Sequence, residues 1–285
     1  MKLTTPIDIK PLPVQLHLHD SIFVLGSCFA DNIGDRLNRA GFDACVNPTG
    51  TLYNPASIAA AVERLDNGKP FMEADCVEMG AGAGLVCSFS HHSSFARPTA
   101  EEFLADANCS LSEACGRWKS ANKVIITLGT AFVWRLAGGE VVTNCLKRPA
   151  REFTRGMLSV DAISGILAGI VRSHPDKEFI LTVSPIRHLG DGAHANTLSK
   201  ASLHLGLQEA LSEGNACYFD AFEILLDELR DYRFFAEDLV HPSPTAVGCI
   251  WEKFVEAAVC PADRALMAEN EKAWRQMQHR PFLKA

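Results

Sequence analysis

The stretch IFVLGSCFAD, residues 22–31, sets a short run of strand-forming residues directly against a turn of small ones. Ile22 to Leu25 are apolar without alternation, the pattern of a strand covered on both faces. Gly26 lets the backbone bend; Phe29, Ile33 and Leu37 then recur at helical spacing until Gly41 supplies a stop. The reading is strand, turn, helix. It puts Ser27 and Cys28 at a helix start, where free N–H groups and the positive end of the dipole favour negative charge.

Working outward, the same kind of short apolar run occurs at FDACV (42–46), VIITL (124–128), FILTV (179–183) and ACYFD (216–220). Helical patterns separate them. Asn54-Pro55 opens one that ends at Asn67-Gly68, and Thr99 with Glu102 forms a capping-box pattern ahead of another. Ile163 to Ile170 marks a third, closed by His174-Pro175; a fourth runs through Leu198 and Leu211, and Ser243-Pro244 opens a fifth. Repeated β-then-α order predicts an α/β domain built on a parallel sheet with helices on both faces. LVCSFS (85–90) and FVWRLAGGEVVTN (132–144) interrupt it as an inserted β-hairpin region, giving insertions at roughly 68–98 and 132–155. A polar helix is expected over 261–280, and no repeat or linker divides residues 1–285, read as a single domain.

With 47% hydrophobic residues the chain can bury a full core, and a net charge of −7 without a clustered basic patch argues against nucleic acid or an anionic membrane. The expected partner is a small molecule; oligomeric state is left open. The first twenty residues lack an apolar core of signal-peptide length and carry Pro6, Pro11 and Pro13, which predicts a cytoplasmic protein. Ala162 to Val171 is about half the ~20 residues a membrane-spanning helix needs. The ten cysteines include no C-x-x-C pair and are expected to be mostly buried thiols.

In an open parallel sheet, ligands bind beyond the carboxyl ends of the strands, so the Ser27 turn lies where a nucleophile belongs. A serine nucleophile needs a base, and the base an orienting group. Asp238 and His241, bounded by Pro242 and Pro244, are spaced so that one turn can fold the carboxylate onto the imidazole. A helix-capping aspartate beside a half-exposed histidine is the plainer alternative for those two residues. In "RHLGDGAH", His188, Asp191 and His194 match no strong metal-ligand spacing; the segment reads as a loop whose Arg187 and His188 line the pocket. His91-His92 reads as a polar loop, and GAGAG at 80–84 leads into a strand rather than the helix a phosphate site requires. No metal and no cofactor are expected.

Gly26-Ser27-Cys28-Phe29-Ala30 resembles the motif after which the GSCFA family is named, a group similar to the SGNH or GDSL-like hydrolases. The likeness extends to NPTGTLYNP, IITLGTAFVW, EFTR, SPIRHLGDGAHANTLSKASL and EDLVHPS, in order along most of the chain. It implies a three-layer α/β/α, flavodoxin-like fold with a five-stranded parallel sheet, and esterase chemistry on acyl esters, with acetyl esters of a carbohydrate or small molecule as the expected substrates. On that pattern Ser27 matches the nucleophile, in preference to Cys28, with His241 as base and Asp238 as its orienting acid. The N–H groups of Ser27 and Gly50 would form the oxyanion hole. The third block, Gly129-Thr130-Ala131, lacks the asparagine of the superfamily pattern, and losing one such donor costs about 10² to 10³ in turnover. Asn144 is the candidate replacement, a turn-capping role being the equal alternative; Gly129 and Thr130 would contact substrate. A binding module of the same fold that has lost turnover is the second functional reading.

Overall fold

A computed structural model describes residues 5–278. Strand β1 (Ser21–Gly26) enters helix α1 (Cys28–Arg39) through Ser27, whose hydroxyl accepts the N–H of Phe29 as the N-cap. The chain returns on β2 (Asp43–Val46) and continues into α2 (Pro55–Asn67), capped by Asn54 and ended by Gly68 in the left-handed region. Beyond a two-stranded ladder of Val77–Glu78 with Val86–Cys87, α3 (Ala100–Ser120) leads to β3 (Lys123–Leu128). A three-stranded antiparallel sheet of Phe132–Leu136, Val141–Val142 and Phe153–Met157 precedes α4 (Val160–Ser173) and β4 (Glu178–Val183). The remaining long elements are α5 (Ala193–Gly206), β5 (Ala216–Tyr218), α6 (Pro244–Ala258) and α7 (Arg264–Gln278).

The five β strands form one parallel sheet in the order β2-β1-β3-β4-β5, the 2-1-3-4-5 arrangement of flavodoxin-like folds. Strand order reverses between β1 and β3, so the crevice for a ligand opens at the carboxyl end of β1. Because successive side chains leave opposite faces of a strand, Phe23, Leu25, Val124 and Ile126 join a core under α2 to α5. Ile22, Val24, Ile125 and Ile180 join a second core with α1, α6 and α7. The architecture is three layers, α/β/α. The segment before β1 is fastened to the end of α6 by the N–H groups of Leu12 and Leu16, which donate to Ala257 and Ala258.

Several expectations are corrected. His91 and His92 lie in a loop as expected, but His91 is fully buried in it against the rings of Phe71, Phe95 and Phe103, with Nδ1 2.7 Å from Ser88 Oγ. Of the ten cysteines, all free, only Cys87 and Cys217 are buried; Cys109 and Cys249 fall off the helix stripes that face the core, and Cys115 sits at the edge of one. The terminal helix starts at Arg264, and residues 279–280 of the expected 261–280 lie outside the described residues. Among the described residues, no helix is long and apolar enough to cross a membrane.

Gly26 closes β1 at φ +141°, and a Cβ there would sit 2.2 Å from Thr127 O and 2.5 Å from its Oγ1, on the neighbouring strand. Gly68 also has positive φ, +63°, but faces open space. Gly26→Ala is therefore expected to lose about 3 kcal/mol or more, and Gly68→Ala only about 1 to 2 kcal/mol. Urea denaturation of the two variants checks this; equal losses would show that the contact with β3 is not what demands glycine.

Candidate active site

Ser27 lies at the carboxyl end of β1 and is fully buried. Its N–H donates to the carbonyl and hydroxyl oxygens of Thr127 (3.2 and 3.1 Å). Its hydroxyl donates to Ser184 Oγ at 2.9 Å and rests 3.2 Å from Thr127 Oγ1. Lys200 reaches this polar floor from α5: Nζ donates to the carbonyls of Gly129 (2.6 Å) and Ser184 (2.7 Å), the residues just past the ends of β3 and β4. Burial pulls the Lys200 amine down to about 7. Burial, reinforced by the Asp31 charge, pushes the Cys28 thiol up to about 11, so that neighbour is a protonated, poorly nucleophilic sulfur.

Above the floor a cleft of about 440 Å³ opens, with Tyr53, Asn54, Phe132, Trp134, His188 and His241 among its walls. The inserted three-stranded sheet supplies Phe132 and Trp134, and Arg155 stacks over both rings at 4.9 and 4.7 Å while paired to Asp191. His241 and Asp238 stand at the mouth. The chain reverses there, with the Ala236 N–H donating to the His241 carbonyl and Leu239 in the left-handed region at φ +56°. Asp238 Oδ1 accepts the N–H groups of Val240 and His241 (2.9 and 3.0 Å), and Oδ2 is 2.6 Å from His241 Nδ1. These bonds, the His241 N–H first, hold the Asp238 carboxyl down to about 2. The ring is thus aimed through Nδ1, leaving Nε2 for chemistry.

Ser27 and His241 are not joined. The hydroxyl faces Ser184 beneath the cleft floor, whereas the imidazole is exposed at its rim. Nor are the expected backbone oxyanion donors free. The Ser27 N–H is held by Thr127, and the Gly50 N–H closes a turn onto Asn47 O at 2.8 Å, because the Asn47–Gly50 stretch folds back on itself after β2. Both the Gly129 and Thr130 N–H groups donate to Tyr53 O (2.9 and 2.8 Å), and the Thr130 hydroxyl is 3.0 Å from Ser199 Oγ. Asn144 lines the cleft, yet its Oδ1 caps its own turn by accepting the Leu146 N–H at 2.8 Å. Arg187 turns away from the cleft, as successive residues of an extended segment must: it donates to Leu239 O and braces the turn carrying Asp238 and His241. Of the neighbouring pair, only His188 faces the cleft.

Lys200, Ser184 and Arg155 were not singled out from the sequence. For Lys200 a signal existed: it shares the buried face of α5 with Ser199 and Leu203, and a lysine on an apolar stripe requires a buried acceptor set. Ser184 carries no such mark, since only the register of β4 against β3 brings it to Ser27.

The lowered value at Lys200 fixes a sign. Between about pH 7 and the ordinary lysine value of 10.5, the unfolded chain holds a proton there that the folded protein lacks, so stability rises with pH across that window. Relative to Lys200→Met, the wild type is expected to gain on the order of 2 kcal/mol from about pH 7 to 9, measured by urea denaturation. A difference independent of pH would show that the amine stays charged in the fold.

No curated protein matches the chain. The GSCFA family matches residues 21–254, a span from β1 through the Asp238–His241 turn and well into α6. That match takes in the strand, the serine turn and the carboxylate–imidazole pair together, and the chain belongs to the GSCFA family.

Proposed function

We propose that this protein is a serine hydrolase of the SGNH or GDSL-like kind, cleaving acyl esters. The observation that carries the reading is the Asp238–His241 pair, held at 2.6 Å on the rim of an aromatic-walled cleft, one of whose walls, His188, borders Ser27 across Gly129. An imidazole oriented by a carboxylate is the arrangement that removes a proton from a hydroxyl nucleophile. In this reading Ser27 attacks the acyl carbon, His241 accepts its proton and returns it to the leaving alkoxide, and Asp238 stabilises the imidazolium. This reading requires Ser27 to rotate off Ser184 and the turn carrying His241 to approach it. Trp134, Asn54 and Asn144 suit a substrate with both apolar and hydroxylated faces, which supports an acetyl ester of a carbohydrate or small molecule. Free thiols throughout support a reducing compartment, the cytoplasm.

One observation favours a second reading, a binding module without turnover: Ser27 is buried, its hydroxyl caps α1, and its N–H is already engaged. A fluorophosphonate probe separates the two. The hydrolase reading expects labelling at Ser27, strongly reduced in His241→Ala. It further expects turnover of p-nitrophenyl acetate to fall at least about 10³-fold in Ser27→Ala and to change little in Cys28→Ala. A wild type that neither labels nor turns over, but retains a saccharide ester in its cleft, establishes the binder.

A further inference from the structure

An acyl-transfer site must hold the negative charge that develops on the carbonyl oxygen, and it does so with hydrogen-bond donors already in place. The N–H groups of Ser27, Gly50, Gly129 and Thr130 are all committed to carbonyl oxygens of the protein itself. Among the described residues, four buried side-chain polar atoms lack a partner: Arg39 Nε, Ser57 Oγ, His91 Nε2 and His188 Nε2. Only one belongs to a residue of this cleft. His188 Nε2 also lies beside Ser27: a Cβ built on Gly129 would be 3.0 Å from Tyr53 O, 3.2 Å from that nitrogen and 3.4 Å from Ser27 Cβ, so the three border the one position that Gly129 leaves without a side chain. The ring is fixed in place by the edge-on Tyr53 ring at 5.6 Å and by its own backbone N–H, which donates to Asn196 Oδ1 at 2.9 Å.

We propose that His188 is the oxyanion donor of this site, presenting an Nε2–H to the substrate oxygen beside Ser27. The inference rests on the hydrolase reading above. When Ser27 Oγ bonds to the acyl carbon, the carbonyl π pair moves onto oxygen and the hydroxyl proton passes to His241. The oxyanion accepts the His188 N–H without taking its proton. Collapse restores the carbonyl, breaks the bond to the leaving oxygen, and that oxygen takes the proton from His241. Burial first, then the charges of Lys200, His241 and Arg155, hold His188 down to about 4, so its ring is neutral and serves as a donor rather than a base.

The test measures kcat and KM for p-nitrophenyl acetate in wild type, Ser27→Ala, His188→Ala, His188→Asn and His188→Gln, with melting temperatures beside them. His188→Ala is expected to lose about 10² or more in kcat with KM changed less than threefold, and an amide donor at that position to recover at least tenfold of it. The acid limb of the rate profile stays where it is in His188→Asn. Retention of kcat within threefold in His188→Ala overturns the proposal. So does failure of both amides to rescue together with loss of the acid limb, which would make His188 the proton acceptor. A wild type without Ser27-dependent turnover fails at the first measurement, and the hydrolase reading falls before any His188 variant is compared.

Discussion

Strand β1 can lie against β3 as far as its last residue because Gly26 has no side chain. That approach lets the next N–H, from Ser27, bond to both oxygens of Thr127, and it fixes the axis on which α1 leaves the sheet. Neighbouring strand ends are then drawn into the same knot, β4 through Ser184 and β3 through Gly129, with one lysine amine bridging their carbonyls. The sheet edge where ligands bind in such folds is therefore closed from below by short hydroxyls and a neutral or cationic nitrogen rather than by apolar packing. A polar layer of this kind is costly to leave unsatisfied, and among the groups named each has a partner except the buried His188 Nε2 beside Ser27.

The parts legible in the amino-acid sequence are those governed by local rules. Ile22–Leu25 and Val124–Leu128 read as buried strands because both faces of each are covered, which leaves an apolar run broken only by Thr127. Asp238 and His241 read as a pair because their contact spans a single turn. The rest depends on register. Nothing around Ser184 marks it as the acceptor for a hydroxyl 157 positions earlier, and the engaged N–H of Gly50 follows from how the chain turns after β2. His91 misleads for a similar reason, since apart from Ser88 its polar neighbours in sequence leave its ring to three phenylalanines, two of them distant in the chain or on the following helix. Arg187 and His188 show the finest scale of the problem: adjacent in the chain, they serve opposite sides of one turn.

The charged groups around the cleft divide by burial. At the rim, Asp238 owes its low value to hydrogen bonds, and solvent screens its field. Inside, Lys200 and His188 are held in or near their neutral forms by burial. A substrate oxygen reaching Gly129 thus leaves screened surroundings for unscreened ones, where a single N–H dipole acts with greater effect than in water. Arg155, neutralised by Asp191 and sandwiched against Phe132 and Trp134, serves as a stiff aromatic-backed wall rather than an anion trap.

The strap that ties Leu12 and Leu16 to Ala257 and Ala258 joins segments that lie on either side of the whole sheet in chain order. Until α6 is made, the N–H groups of Leu12 and Leu16 lack their acceptors, and the sheet face that α6 covers, including Ile22 and Val24, is bare. The Asp238–His241 turn emerges in that same late interval. A nascent chain therefore carries its serine turn through the remaining strands of the sheet before the imidazole meant to serve it is made, and the contacts that complete the second core are the long-range ones.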